Sequence, residues 1–151
     1  MKILIKDRQR RRPLNKNRVI RVSRGTLSFL NQHKAELSIL FVGDREMTRL
    51  NSEYRGVHKS TDVLSFPQIS GFTPGSSLLT PHFVLGDIVI SVPKAESQAK
   101  ASGRGFYDEV RRLLIHGILH LLGYDHEKSA YSATVMKKKE QEIFHATQEM
   151  D

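Results

Sequence analysis

Three histidines towards the C-terminus have the spacing of metal ligands. His116 and His120 lie four residues apart in a stretch typical of a helix, so both imidazoles leave the same helix face. Gly123 stands where the helix should end, and the chain can then turn back to deliver His126. Three neutral imidazoles leave one position of a tetrahedral zinc ion open to water, as in catalytic sites. The spacing therefore predicts one zinc ion per chain, bound by these histidines and used to activate water for hydrolysis.

The alternative is that these are three ordinary histidines. Burying two imidazoles among leucines is costly unless their nitrogens are satisfied, and a metal ion satisfies them. The chain contains no cysteine, which excludes disulfides and thiolate ligands. Nitrogen ligands suit zinc but also admit nickel, copper or iron.

The same spacing occurs in a long zinc-protease signature, in which a glutamate follows the first histidine and acts as general base. Here that position is Gly117, which has no side chain. Zinc lowers the pKa of bound water to ~7 without help, so hydrolysis does not require the glutamate. Cleaving a peptide also requires a proton for the poor leaving amine, so a metalloprotease is the weaker interpretation.

The segment 116–126 reads H-G-x-L-H-L-x-G-Y-D-H, and with it the chain resembles the YbeY endoribonucleases, bacterial zinc-dependent RNases of ribosomal RNA maturation. The resemblance extends over roughly the residues from 50 onwards, while the first 45 match only in general character. It implies a single-strand-specific endoribonuclease acting in 16S rRNA 3′-end maturation and ribosome quality control, with the ribosome or ribosomal proteins as partners. The further matching positions are Leu50, Asn51, Tyr54, Arg55, 61–67, 85–91, Met136 and Glu140.

The resemblance also assigns a functional role to Arg55. A guanidinium group binds two phosphate oxygens and stabilises charge that develops on a phosphodiester; the alternative is a surface arginine at a helix end. Asp62 either orients Arg55 or caps local backbone. Asp125 is a candidate to accept a hydrogen bond from an imidazole N–H, and Ser65 and Tyr124 are candidates to line the site.

Positive charge is concentrated in the first 60 residues, which hold 15 Lys and Arg against 5 Asp and Glu, a balance of +10. The remaining residues hold 9 against 11, a balance of −2. Within the basic region 8–24, the RNA-binding candidates are Arg8, Arg10, Arg11 and Arg12. The alternative is a solvated arm or helix face without a polyanionic partner.

Two questions of function stay open at this stage. A ribosome-associated RNA-binding assembly factor with a structural metal would carry the same motif without cleaving RNA. If the chain does cleave RNA, the nucleophile is either water or the ribose 2′-hydroxyl. The residues distinguish neither pair.

The elements that must position these residues predict one layered α+β (mixed α/β) domain over 1–151, with about four strands in a mixed sheet packed with helices. A central helix from 109 to 122, apolar on nearly all sides and capped by Asp108, carries the metal ligands. The other predicted helices begin at Pro13, after Asp44 as an N-cap, at Pro93 and at about Ser129, and the strands lie at 2–6, 36–42, 61–66 and 82–92, with a loop over 68–81. No stretch reaches the ~20 apolar residues of a membrane span, and a cytoplasmic protein is expected.

Overall fold

A computed structural model describes residues 1–68 and 83–150. Over these ranges the chain has the predicted α+β fold, with four strands in a mixed sheet and five α-helices. The predicted loop over 68–81 lies outside the described residues except for Gln68, and so does the predicted strand start at residue 82.

The elements follow one another in the order β1, α1, β2, α2, β3, β4, α3, α4, α5. Their bounds are β1 Lys2–Asp7, α1 Lys16–Phe29, β2 Ala35–Val42, α2 Asp44–Arg55, β3 Val63–Pro67, β4 Phe83–Ser91, α3 Val92–Ser102, α4 Phe106–Leu121 and α5 Ala130–Ala146, with a 3₁₀ turn at Gln148–Met150. None of the helices in the described part of the chain is long and apolar enough to cross a membrane.

Four predicted helix starts or caps are wrong by one to three residues, and one of them is that of α3, which begins at Val92 rather than Pro93. The first helix begins after Asn15 rather than at Pro13, and the Asn15 side chain accepts a hydrogen bond from the backbone N–H of Arg18. Asp44 and Asp108 lie in the first turns of their helices, so they do not occupy the N-cap positions. An aspartate in the first turn is also favourable, because its charge interacts with the helix dipole. Composition alone therefore does not separate the two positions.

The sheet has the strand order β1-β2-β4-β3, in which β1 and β4 flank β2 in parallel and β3 runs antiparallel to β4. A register shift between Glu36 and Leu37 accommodates an extra residue in β4. At this point Gly86 has φ +152°, and a Cβ there would lie 2.4 Å from the carbonyl oxygen of Phe66. Glycine is thus required where β3 and β4 approach most closely.

One face of the sheet is buried under three helices. Ile39 and Ile88 are paired in register on this face, and they belong to the main core together with side chains of α1, α3 and α4. Helix α4 lies so close to the sheet that a Cβ at Gly117 would be 3.0 Å from Cδ1 of Ile88. The opposite face carries a smaller apolar cluster, in which Met47 of α2 packs on Val89.

Candidate metal centre

The imidazoles of His116, His120 and His126 form one cluster, with one ring nitrogen of each within 4.8 Å of the others. The first two project from consecutive turns of α4, and their Nε2 atoms are 3.0 Å apart. The ring centroids are separated by 4.5, 5.2 and 5.0 Å. The site is accessible, since His126 is exposed and the other two rings are partly buried. The cluster is therefore placed to hold a metal ion that substrate can reach.

The local backbone explains how the third histidine is delivered. Gly123 has φ +93°, as expected for a glycine that ends a helix. Its N–H donates to the carbonyl of His120, while the Tyr124 N–H donates to the carbonyl of Leu119. This pair of bonds is the Schellman arrangement, which reverses the chain direction immediately after α4. His126 thereby returns to the helix face that carries the other two histidines.

A carboxylate from a different helix orients His116. Oε1 of Glu140, on α5, lies 2.7 Å from Nδ1 of His116. If Nδ1–H donates this bond, the lone pair on Nε2 faces the other two histidines, as metal ligation requires. Three nitrogen donors and an oriented ring fit a zinc-type ion. The matched position of Glu140 was visible in the sequence, but its role depends on a contact between two helices.

Electrostatics favour the neutral form of His120. Burial lowers the pKa of His120 below its ordinary value of 6.5, and the neighbouring His116 and His126 lower it further. A metal ion binds only the neutral imidazole. This environment therefore keeps His120 ready for ligation near neutral pH.

A cleft of about 700 Å³ surrounds the histidines, and Arg55 lies on its wall. Arg55 is the last residue of α2, and the helix ends at Gly56 with φ +69°. Its side chain is exposed and makes no hydrogen bond or ion pair with any residue in 1–68 or 83–150. Its guanidinium group is therefore free to meet an anion in the cleft.

Arg112 lines the same cleft and was not among the predicted site residues. It precedes His116 by four residues on α4, a spacing that could have identified it. Its Nε and NH2 atoms bond both carboxylate oxygens of Glu109, which is fully buried, with NH2 2.6 Å from Oε2. Hydrogen bonding to Glu109 raises the pKa of Arg112 above its ordinary value, with further contributions from Asp62 and Glu140. The result is a guanidinium group held in one position at the cleft wall, with its charge paired to that of Glu109.

The remaining site candidates have defined local roles. Asp62 caps local backbone by accepting the Val63 N–H at 2.8 Å, and its other oxygen accepts from Gln98. Asp62 and Ser65 both line the cleft, and the Ser65 hydroxyl is 3.4 Å from the Gly117 carbonyl. The Asp125 carboxylate accepts the backbone N–H of Glu127.

Tyr124 packs between the main core and the cluster that joins α4 to α5. The carboxylate that is hydrogen-bonded to one of the three imidazoles belongs to Glu140, which contacts His116.

Three of the four N-terminal arginines are paired with acidic side chains. Arg8 lies 3.1 Å from Glu46, while Arg11 and Arg12 both contact Glu96. Arg12 also stacks over the Phe106 ring at 3.8 Å. Arg10 is exposed and has no ion pair among the residues described. Two acidic side chains remote in sequence thus pair with three of these arginines, and none of the four arginines lines the histidine cleft.

Comparison with known proteins identifies relatives over nearly the whole chain. The family model described as Endoribonuclease YbeY matches residues 4–148. Endoribonuclease YbeY of Leptospira interrogans is 44% identical over 129 residues, covering 79% of this chain and 92% of the relative. The proteins of the same name from Persephonella marina and Geobacter metallireducens are 43% and 40% identical over 143 and 145 residues. Each of those two alignments covers 95% of this chain and at least 90% of the relative.

A solved structure has the same fold. The solution structure of TM1509 from Thermotoga maritima matches with a TM-score of 0.65 at 23% sequence identity, over 95% of this chain and 87% of that one. The match includes most of the N-terminal region, where the family motifs quoted above are absent.

Proposed function

Because the chain belongs to the YbeY endoribonuclease family, we propose that it is a zinc-dependent endoribonuclease that cleaves single-stranded RNA in the cleft around His116, His120 and His126. The observation that carries the proposal is the histidine cluster with Glu140 hydrogen-bonded behind it. Catalytic zinc sites commonly have three protein ligands, and a carboxylate often accepts a hydrogen bond from the second ring nitrogen of a histidine ligand. One ion per chain is proposed.

The residues of the cleft have different proposed roles. His116, His120 and His126 would hold the ion, which supplies a Lewis acid that polarises phosphoryl oxygens and acidifies bound water. Arg55 binds the non-bridging oxygens of the scissile phosphate and neutralises the charge that develops there. Arg112, held by Glu109, adds a positive charge that does not depend on side-chain rearrangement. Glu140 keeps the His116 ring in one orientation.

The finer substrate assignment is part of the same proposal. Single-stranded RNA is favoured because unpaired phosphates can bend into a cleft that a stiff duplex cannot enter. We place the activity in 16S rRNA 3′-end maturation and ribosome quality control, with the ribosome or ribosomal proteins as partners. The protein is accordingly proposed to act in the cytoplasm, where ribosomal RNA is processed.

The proposal is tested by metal analysis and RNA cleavage on the same preparations. The wild-type protein should contain about one zinc ion per chain and cut single-stranded RNA while leaving the corresponding duplex intact. His120→Ala should lose both the metal and cleavage, whereas Arg55→Ala should lose cleavage and keep the metal. RNA binding without cleavage by the zinc-loaded wild type would favour the assembly-factor alternative. The product ends identify the nucleophile, because a 2′,3′-cyclic phosphate excludes direct attack by water.

A further inference from the structure

The sheet face opposite the main core carries a groove that the proposed catalytic cleft does not include. Strand register places Lys6, Leu40 and Val89 in one row across β1, β2 and β4, with Leu4, Ser38 and Asp87 in the next row. Helix α2 covers part of this face through Met47 and Leu50, which cluster with side chains of β2, β3 and β4. A groove of about 600 Å³ is left between α2 and β1. Pockets of this size hold nucleotide-sized ligands.

The groove adjoins the proposed catalytic cleft. Tyr54 and Phe66 line both, so the two depressions meet at this aromatic pair. The rings form an edge-to-face contact with centroids 5.2 Å apart, and Tyr54 is 62% exposed. Exposed aromatic rings beside an open sheet are the usual platform on which unpaired bases stack. A strand leaving the cleft would therefore meet a stacking surface first.

The far side of the groove offers groups for the sugar-phosphate backbone and for base edges. Lys6 on β1 and Arg8, the residue that follows β1, line it about three strand spacings or ~14 Å from β3. Lys6 has no ion pair within 1–68 and 83–150. Arg8 is paired with Glu46, but its side chain stays exposed to solvent. Asp87 lies between the two ends and accepts a hydrogen bond from Gln68 on one oxygen. Its other oxygen can accept from the exocyclic amine of a base.

We infer that this groove binds a short run of nucleotides of the single-stranded RNA substrate, continuing from the catalytic cleft. The bases stack from Tyr54 over the apolar floor of Leu4 and Leu40, and Lys6 meets a phosphate beyond them. The inference rests on the proposed function, since it assigns a second part of the same substrate. It also explains a half-exposed Leu4 on an edge strand, where an apolar side chain is otherwise unfavourable.

The test is binding of a nuclease-resistant, fully 2′-O-methylated oligouridine of twelve nucleotides to the zinc-loaded full-length protein, measured by fluorescence anisotropy. Tyr54→Ala and Lys6→Glu should each raise Kd by roughly 5- to 100-fold, as loss of a stacked base or a phosphate contact does. The matched controls are Tyr131→Ala and Lys100→Glu, exposed residues outside the groove, which should stay within about twofold of wild type. Metal content and thermal melting show whether each variant is folded.

A second measurement does not depend on substitutions. When the wild-type protein is photo-crosslinked to an oligonucleotide that carries 4-thiouridine, the crosslinks should form at β1 or at Tyr54. Crosslinks confined to the histidine cleft, with unchanged Kd in both groove variants, would overturn the inference. A dimer in sedimentation that Lys6→Glu converts to monomer would also overturn it, because the face would then be an interface between copies. A wild type that binds at the groove without cleaving RNA refutes the proposed function and leaves the groove site standing.

Discussion

The carboxylate of Glu140 lies 2.7 Å from Nδ1 of His116, although the two residues are 24 positions apart and on different helices. This contact couples the metal centre to the packing of α5 on α4. Met136 and Ile143, one turn to either side of Glu140, are buried in the cluster that joins these helices. The orientation of a proposed metal ligand thus depends on an apolar interface outside the cleft.

Replacing Glu140 by Gln should weaken metal binding without unfolding the protein. The amide leaves His116 without an anionic partner, and loss of such outer contacts lowers metal affinity roughly 10- to 100-fold. Competition with a zinc chelator measures the change. Glu142→Gln, an exposed glutamate paired with Lys139 on the same helix, is the control and should bind metal like wild type. If Glu140→Gln binds zinc as tightly as Glu142→Gln does, Glu140 does not support the metal site.

Replacing Arg55 by Ala should lower kcat/KM for RNA cleavage by about 100-fold, the scale of losing one preorganised charge-stabilising group. Arg55→Lys should recover only part of the activity, because an ammonium group cannot bind two phosphate oxygens side by side. Metal content should be unchanged in both. Arg49→Ala is the control, since Arg49 lies on the same helix and pairs with Glu53 outside the cleft. A fully active Arg55→Ala protein would contradict the assigned role.

The lowered pKa of His120 predicts a pH dependence of stability in metal-free protein. The unfolded chain binds a proton at His120 near pH 6.5 and the folded chain only at lower pH. The free energy of unfolding should therefore fall as the pH drops below about 6.5, since acid favours the state that binds more protons. Urea titrations of chelator-treated protein between pH 7.5 and pH 5 measure the slope. His120→Gln should flatten it, while His33→Gln, at an exposed position, should not.

Replacing Gly86 by Ser should destabilise the protein by about 2–3 kcal/mol, from backbone strain at positive φ and overpacking against the strand β3 backbone. Gly43→Ser is the control, because a Cβ there contacts nothing within 4 Å and Ser is a favourable N-cap residue. It should change the free energy of unfolding by less than about 0.5 kcal/mol. Chemical denaturation of both variants decides the matter. Similar losses in both would show that the conformation of Gly86 is not special.

Local spacing predicted the parts of the site that lie close together in sequence. His116, His120, Gly123 and His126 are within eleven residues; helix periodicity places the first two on one face, and the glycine that ends the helix lets the chain turn back with His126. The α+β fold was also predictable, because each strand and helix carries its own pattern of apolar residues.

Contacts between distant segments could not be predicted in the same way. No local pattern pairs Glu140 with His116, or Glu96 with Arg11 and Arg12. The pairing of Arg11 and Arg12 with Glu96 on α3 could not be read from the basic run, because the partner is more than 80 residues away. The strand order could not be predicted either, because the position of β4 between β2 and β3 depends on pairing between segments that are distant in sequence.

The close approach of Gly117 to Ile88 separates this site from the zinc proteases whose histidine spacing it shares. A glutamate at position 117 would point its Cβ at the Ile88 side chain, which would have to shift by a few tenths of an ångström to make room. Placing a catalytic base there therefore calls for an adjustment beneath the helix, at the strand residue that now fills the space. The two kinds of site share a spacing of histidines at the surface, but whether a base can follow the first histidine depends on packing in the core.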